Sequence, residues 1–231
     1  MSGFIAVICG LKSEAAAIRS SLSAAGVDAE TARIAVSGAN AARAEDLTEG
    51  LIAAGARAVV SAGLCGGLDP DLKSGDLIIG ERVVSASGDV ILSDRKLLAA
   101  APQAARQVAI FGSDDIIDSA EMKSRIFGRY ASQTVDMESH GAARAASRAG
   151  APFIAIRAVA DSASRALPKA ALGAVTETGG VNVMSVLIEC MKAPQQFEQI
   201  AMLGRESGAA TETLRRDFGD VFRRLLLALD L

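Results

Sequence analysis

The sequence has few aromatic residues and no excess of basic charge. Aromatic residues make up 3% of its 231 residues, with no Trp and one Tyr, so the aromatic platforms that stack single-stranded bases are not expected. The formal net charge is -3, whereas proteins that bind phosphate backbones need a basic surface. These absences argue against a nucleic acid as the main partner.

Cysteine and histidine are also scarce. The cysteines Cys9, Cys65 and Cys190 lie far apart, and no C-x-x-C pair or Cys/His cluster indicates a disulfide framework or a metal site. Buried positions are favoured for these thiols over a nucleophilic role, and the reducing cytoplasm fits best. The single histidine, His140, has no paired Ser or Cys motif, which favours a packed or solvent-facing helix residue over a triad base.

Long hydrophobic runs are absent as well. No apolar run approaches 18 residues, so no membrane-spanning helix is expected. The first ten residues, MSGFIAVICG, carry no basic residue and precede a segment of helical periodicity, which favours a first strand over a signal peptide. The composition, 50% hydrophobic and 22% charged, is typical of a soluble globular chain.

Short β-rich runs alternate with Ala-rich amphipathic segments along most of the chain. Continuous apolar runs such as FIAIRAV, residues 153–159, are typical of a sheet that is buried on both faces. Strands are predicted at 4–9, 33–37, 58–62, 76–85, 107–111, 133–137 and 152–159. Helices are predicted at 13–25, 41–54, 94–101, 119–130 and 138–149. The alternation predicts an α/β three-layer sandwich with a central, mostly parallel or mixed sheet flanked by helices.

The last sixty or so residues follow a helical pattern, with predicted segments near 180–192, 194–204 and 209–229. The final stretch, DFGDVFRRLLLALDL, is amphipathic. Packing on the sheet or on a neighbouring subunit is the favoured interpretation of its apolar face, and contact with a membrane surface is the alternative. We therefore predict an α/β domain at 1–193 and a helical C-terminal extension, 194–231, packed on the same domain.

The segment VDMESHG places the carboxylates of Asp136 and Glu138 where a predicted strand leads into an Ala-rich helix. If the strand continues to Glu138, the two side chains point to the same face and repel each other. The ordinary explanation is that acidic residues complement a helix N-terminus, at roughly 0.3–1 kcal/mol each. The alternative is a pair of carboxylates in a binding site.

Polar or Gly-rich segments follow three other predicted strands. They are CGLKSEA, with Ser13 as a predicted helix N-cap and Glu14; GLCGG, with Gly66 and Gly67; and RAVAD, with Arg157 and Asp161. Taken singly, each has an ordinary explanation in a helix end or a tight turn. Because ligands in open α/β sheets bind outside the carboxyl ends of the strands, their coincidence at one edge indicates a site.

These segments also resemble a known family. AVICGLKSEAAAI, SAGLCGGLDPDLKSGDLII, VDMESHGAA and FIAIRAVADSA are similar, in order and spacing, to the nucleoside phosphorylase and nucleosidase superfamily over roughly residues 3–190. They look especially like the branch of methylthioadenosine/S-adenosylhomocysteine nucleosidases. The C-terminal extension and the shortened central region look more like the hopanoid-associated phosphorylases, to which removal of adenine from adenosylhopane is attributed.

The resemblance implies cleavage of the N-glycosidic bond of a 5′-substituted adenine nucleoside. Asp161 falls on the acid that protonates N7 of the purine, Glu138 on the carboxylate that holds the ribose hydroxyls, and Glu14 on the carboxylate that activates water. The other implied substrate-binding residues are Met137, Asp136, Arg157, Ser37, Gly38, Gly66, Gly67 and Ile116. No metal or cofactor is implied, phosphate is an optional co-substrate, and a homo-oligomer is expected.

The sequence departs from the family's pattern in two places. Nucleosidases of this type carry a run of glutamates after the first strand, whereas only Glu14 remains here; Lys12, Arg19 and Arg43 are the candidate anion contacts nearby. Hydrolysis is favoured by these residues, whereas the hopanoid group is named for phosphorolysis, and both stay open. The short segment 80–98 is expected to open the 5′ side of the pocket to a bulky substituent, which fits adenosylhopane and a cytoplasmic enzyme peripheral to the inner membrane.

Three alternatives accompany this prediction. The first is a cytosolic nucleosidase acting on methylthioadenosine or S-adenosylhomocysteine. The second is a nucleoside-binding protein without catalytic activity. The third, a dinucleotide-binding reductase, is disfavoured because no G-x-G-x-x-G segment follows the first strand.

Overall fold

The computed structural model describes residues 3–168, 176, 178–180 and 196–231. Cys190 and the helix predicted near 180–192 lie outside these residues. In the described part of the chain, the strands are β1 (Phe4–Cys9), β2 (Ala32–Val36), β3 (Ala56–Gly67), β4 (Leu77–Ser85), β5 (Val90–Leu92), β6 (Arg106–Gly112), β7 (Thr134–Asp136) and β8 (Phe153–Asp161). The helices are α1 (Lys12–Ala24), α2 (Ala41–Ala53), α3 (Arg95–Ala100), α4 (Ala120–Tyr130), α5 (Ser139–Ala149) and α6 (Gln196–Ala228), with a short 3-10 helix at Ala29–Thr31.

Every strand and helix predicted before residue 160 is present, and the α/β fold is confirmed. Gly26, Gly55 and Gly150, which follow α1, α2 and α5, adopt positive φ angles of 67°, 97° and 64°, as expected of residues that end helices. The strand β5 was not among the predicted elements. This strand has only three residues, and Val90 and Leu92 are exposed, so its side chains show no core periodicity.

The strands form one mixed sheet that closes on itself. β1 lies between β2 and β3, and all three are parallel. β3 also pairs with β8 in parallel and with β7 in antiparallel orientation, and β4 and β6 connect β8 back to β7. The ring β3–β8–β4–β6–β7 is therefore continuous, with β5 added at the outer edge of β4.

This ring determines where the acidic residues meet. Gly66 near the end of β3 is paired on one side with Val135 of β7 and on the other side with Asp161 of β8. β7 runs opposite to β3, so Asp136 does not reach the site by sharing a parallel edge with β3 and β8. It reaches the site because β3 is long and lies between the two shorter strands.

Helices cover both faces of the sheet. Ile5 and Val7 of β1 pack in a core cluster with residues of α1 and α6, whereas Ala6 and Ile8 pack with α2 and α5. The alternation of β1 side chains between two apolar layers is what a strand buried on both faces requires. The three-layer arrangement follows from this pattern.

The C-terminal helix α6 is one continuous helix, not the two predicted segments. Gly204 and Gly208 lie inside it, where each costs about 1 kcal/mol relative to Ala without ending the helix. One apolar face of the helix is buried against α1 and β8 of the same chain. Its fully buried residues are Ala210, Leu214, Phe218, Val221, Phe222 and Leu225. The division at residue 193 stays a prediction. None of the helices in the described residues combines the length and the apolar character needed to cross a membrane.

The crossing of α5 over α2 depends on Gly141. A β-carbon at this position would collide with the backbone carbonyl oxygen of Ala41, which no side-chain rotation can move. We expect Gly141→Ala to lower the free energy of unfolding, measured in urea, by about 1–3 kcal/mol. Gly128 in α4 is the matched control, because a β-carbon there meets nothing within 4 Å, and Gly128→Ala should stabilise by about 0.5–1 kcal/mol. Equal effects of the two substitutions would contradict the close crossing.

Candidate active site

A cavity of about 200 Å³ lies where β3, β7 and β8 end beside the first turns of α1 and α5. The three residues predicted to be catalytic, Glu14, Glu138 and Asp161, all line it. They are also buried, with exposed fractions of 4%, 6% and 7%. Carboxylates with so little exposure to water require cations or hydrogen-bond donors that compensate for the lost hydration.

Glu14 is held by backbone N–H groups at the start of α1. Its Oε2 accepts hydrogen bonds from Gly10 (2.9 Å) and Leu11 (2.8 Å), and its Oε1 accepts one from Leu64 (2.7 Å). Leu11 occupies the N-cap position and has no side-chain acceptor; Glu14 instead accepts from the free N–H group of this N-cap residue. The prediction that Ser13 is the N-cap was therefore wrong. Burial raises the pKa of Glu14, and Arg157 and the three N–H donors oppose the rise.

Asp136 and Arg157 form a fully buried ion pair beneath the cavity. Arg157 Nε donates to Asp136 Oδ2 at 2.7 Å, with side-chain exposures of 0% and 1%. The other acceptor positions of Asp136 receive the backbone N–H groups of Glu138 (3.1 Å) and Ser139 (2.9 Å) and the hydroxyl of Ser139. All four acceptor positions of this carboxylate are thus occupied by protein donors.

Arg157 also holds Glu138. Its Nη2 lies 3.2 Å from Glu138 Oε2 and donates to the hydroxyls of Ser61 (2.7 Å) and Ser139 (3.0 Å). β7 ends at Asp136, and Glu138 takes the N-cap position of α5 instead of continuing the strand. The guanidinium between the two carboxylates explains how the acidic pair of VDMESHG is accommodated, because its positive charge offsets their mutual repulsion.

The ionisation of Glu138 is strongly perturbed. Burial, with smaller contributions from Asp136 and Glu14, raises its pKa to about 8, although Arg157 favours the charged form. The same three carboxylates raise the pKa of Arg157 above its usual range in spite of burial, so the guanidinium stays charged. A carboxylate poised near neutrality in a cavity is typical of a functional site.

Asp161 lies on the opposite side of the cavity and is paired with a lysine. Nζ of Lys123, on α4, forms a buried ion pair with Asp161 Oδ2 and donates to the carbonyl oxygen of Ser162 at 2.8 Å. Burial raises the pKa of Asp161, and Lys123 opposes the rise. Lys123 is 1% exposed and lines the same cavity.

The other predicted substrate-binding residues divide into two groups. Met137, Gly66 and Ile116 line the cavity together with Asp136. Arg157, Ser37, Gly38 and Gly67 do not. The hydroxyl of Ser37 is buried and donates to the carbonyl oxygen of Cys9, and Gly38 N–H donates to the carbonyl oxygen of Gly10, so these residues support the β1 loop behind Glu14.

Sequence reasoning missed Lys123, Ser61 and Ser139. Lys123 lies in the segment AEMKSRIF, whose charges are typical of a solvated helix face. The hydroxyl groups of Ser61 and Ser139 are hydrogen-bonded to each other at 3.2 Å. Both also accept a hydrogen bond from Nη2 of Arg157. Only the presence of an arginine inside an apolar strand, FIAIRAV, signals that buried polar partners must exist.

The remaining candidate residues lie apart from the cavity or are inert. Cys9 and Cys65 are buried, and burial raises their thiol pKa values far above the usual range. Cys65 touches the cavity wall, but a neutral thiol is a poor nucleophile. His140 is 3% exposed with Nε2 3.1 Å from Asp114 Oδ1. Of the two predicted alternatives, a packed or a solvent-facing helix residue, it is the packed one.

Comparison with known structures defines the class of fold. The nucleosidase for methylthioadenosine and S-adenosylhomocysteine of Colwellia psychrerythraea, solved with adenine, superposes with a TM-score of 0.69 at 19% identity over 99% of this chain and 96% of that chain. The corresponding Helicobacter pylori enzyme gives 0.66 at 20% identity over 93% and 97%. The futalosine hydrolase of Helicobacter pylori gives 0.62 at 21% identity over 70% and 88%. The chain thus has the nucleoside phosphorylase and nucleosidase fold.

The family itself follows from the sequence model. Residues 4–192 match the Phosphorylase superfamily, so the chain belongs to that superfamily and is an enzyme that cleaves N-glycosidic bonds. No curated protein sequence matches it.

Proposed function

We propose that this enzyme releases adenine from a 5′-substituted adenine nucleoside. The observation that carries the proposal is that Asp161 and Glu138 open into one cavity, so that a base at Asp161 and a pentose at Glu138 can belong to one molecule. If packed residues separated these two side chains into different cavities, one nucleoside could not contact both, and the proposal would fail.

The two sides of the cavity suit the two charges that develop during bond cleavage. The sugar becomes positive as the C1′–N9 bond breaks, and the carboxylate of Glu138, fixed by Arg157, stabilises that charge in its ionised form. The departing base becomes negative and requires a proton at N7, which must be supplied on the side of Asp161 and its partner Lys123. Met137, between the two acidic positions in sequence, lines the cavity beside the sugar position.

We infer that water is the nucleophile. Three of the four acceptor positions of the Glu14 carboxylate are occupied by backbone N–H groups, which leaves one on Oε1 to receive a proton from water. The cations that would hold phosphate are elsewhere: Lys12 and Arg43 are exposed and do not line the cavity, and Arg19 lines a separate one. Within the described residues, Lys123 is the cationic side chain in the cavity wall.

Adenosylhopane is our first proposal for the substrate. The short segment 80–98 forms the later part of β4, β5 and the start of α3. None of it lines the cavity, which supports an open 5′ side that accepts a bulky apolar group. Ile116, 41% exposed at the cavity wall, is an apolar surface for such a group. Methylthioadenosine or S-adenosylhomocysteine is the second candidate, supported by the solved nucleosidases of the same fold.

One assay tests these proposals together. The protein is incubated with adenosines that carry 5′ substituents of increasing size, with and without inorganic phosphate, and free adenine is measured. Adenine release without phosphate is the expected result, with the highest kcat/KM for the largest apolar substituent. A ribose-1-phosphate product formed only with phosphate would defeat hydrolysis, and binding without any adenine release would indicate a nucleoside-binding protein.

Homo-oligomer formation and peripheral membrane contact remain predictions. Because the apolar face of α6 is buried in its own chain, membrane contact through this helix would have to use its exposed side chains, such as Arg223, Arg224 and Leu227. Loss of vesicle binding after substitution of these three residues, with unchanged stability, is the observation that would support the contact.

A further inference from the structure

The ion pair between Lys123 and Asp161 has more capacity for hydrogen bonding than the protein uses. An ammonium group has three N–H donors, and the contacts of Nζ with Asp161 Oδ2 and the carbonyl oxygen of Ser162 occupy two of them. Asp161 Oδ1 accepts no hydrogen bond from any residue that the structure describes. Both side chains line the cavity, so its wall carries one available donor beside one available acceptor.

This arrangement matches one class of purine. Adenine presents N7, an acceptor, next to the N6 amino group, a donor, whereas a 6-oxopurine presents two acceptors, N7 and O6. An ammonium donor beside a carboxylate acceptor therefore complements the 6-aminopurine edge and leaves O6 of a 6-oxopurine facing a carboxylate. Buried mismatches of this kind are strongly rejected, because the polar groups of the site remain unpaired.

We propose that Lys123 is the catalytic acid of this enzyme, donating the proton to N7, and that Asp161 accepts a hydrogen bond from the N6 amino group. The inference rests on the proposed function and refines it, since the family resemblance implied that Asp161 gives the proton. A carboxylate is a much weaker base than an amine, so in this ion pair the proton resides on Lys123, even though burial raises the pKa of Asp161.

The step balances in protons and electrons. As the C1′–N9 bond breaks, its electron pair moves into the purine, and N7 takes a proton from Nζ, leaving a neutral amine and neutral adenine. A water oxygen forms the new bond to C1′ and gives its proton to Glu14. Glu14 releases this proton to solvent, from which the amine regains a proton and returns to the ammonium form. No further reactant is needed.

The test compares two leaving groups in Lys123→Met, which keeps the length of the side chain and removes the ammonium. The substrates are a 5′-substituted adenosine and 4-nitrophenyl β-D-ribofuranoside, whose leaving group departs without protonation. We expect kcat/KM for adenine release to fall by about 10²–10³-fold, with less than about threefold change for the nitrophenyl riboside. Lys96→Met, at an exposed position of α3, is the matched control and should change neither rate.

The outcomes separate the two levels of the proposal. Equal losses on both substrates would show a structural role for Lys123 and overturn the inference, as would full adenine release by Lys123→Met. Failure of the wild type to release adenine from any nucleoside would overturn the proposed function itself. The wild type also gives a readout that needs no variant: kcat/KM should favour a 6-amino over the matching 6-oxo nucleoside by at least about 10²-fold, and a ratio near one would overturn the role of the pair.

Discussion

Replacement of Glu138 by Gln is expected to lower kcat by about 10²–10³-fold, the usual effect of removing one preorganised electrostatic stabiliser. Gln has the same shape but no negative charge, so the developing positive charge on the ribose loses its nearest counter-ion. Binding of substrate should change less than turnover, because the charge appears only in the transition state. Adenine release under substrate saturation above pH 8, where Glu138 is ionised, measures the effect.

Glu121→Gln provides the control for this substitution, because Glu121 is an exposed residue of α4 with only a surface ion pair to Arg125. It should leave kcat unchanged. Near-normal turnover of Glu138→Gln would remove Glu138 from the site.

The same variant has a second readout in the pH dependence of stability. The folded protein holds the proton of Glu138 up to about pH 8, whereas the ordinary pKa is 4.5. Between these values the folded state binds more protons than the unfolded state, so the contribution of Glu138 to the free energy of unfolding falls as pH rises, by up to about 1.4 kcal/mol per pH unit. Urea unfolding between pH 5 and 8 should show a steeper decline in the wild type than in Glu138→Gln. The variant keeps the decline that comes from the raised pKa values of Glu14 and Asp161. Wild-type turnover should rise with pH as Glu138 ionises.

The fold was largely predictable from local pattern. The strand β1 was predicted with its observed bounds because six consecutive apolar residues stand between Gly3 and Gly10. The helix α5 was predicted because Glu138 and Gly150 mark its ends. β5 was missed because three residues carry too little periodicity. The division of α6 was wrong because glycine weakens a helix without ending it when the neighbouring turns are packed.

The site was predictable only where a motif carries it. The carboxylates Glu14, Glu138 and Asp161 follow strands and were expected to converge, and they line one cavity. Which side chains would meet them depended on tertiary contacts between residues far apart in sequence. Lys123 and Asp161 are separated by 38 positions in the sequence, and Ser61 and Arg157 by 96. No local sequence pattern indicates either contact.

Replacement of Arg157 by Met is expected to lower the free energy of unfolding by about 3–5 kcal/mol, the usual cost of breaking a buried ion pair by removing one partner. Arg157 is the cation that lies among Asp136, Glu138 and Glu14, and its loss leaves the buried carboxylate of Asp136 without its partner. Arg144→Met is the matched control: Arg144 pairs with Glu45 at the surface, where ion pairs contribute about 0–1 kcal/mol. Urea unfolding at one pH measures both.

The double variant Arg157→Met/Asp136→Asn identifies which contact of Arg157 accounts for the lost free energy of unfolding. If the loss comes from the uncompensated charge of Asp136, neutralising that carboxylate should restore part of the stability, and the two substitutions should be coupled by more than about 1 kcal/mol. Additive losses would mean instead that the guanidinium stabilises the fold through Ser61, Ser139 and Glu138. In both cases the double variant should stay inactive, because Glu138 has lost the cation that fixes it against the sugar.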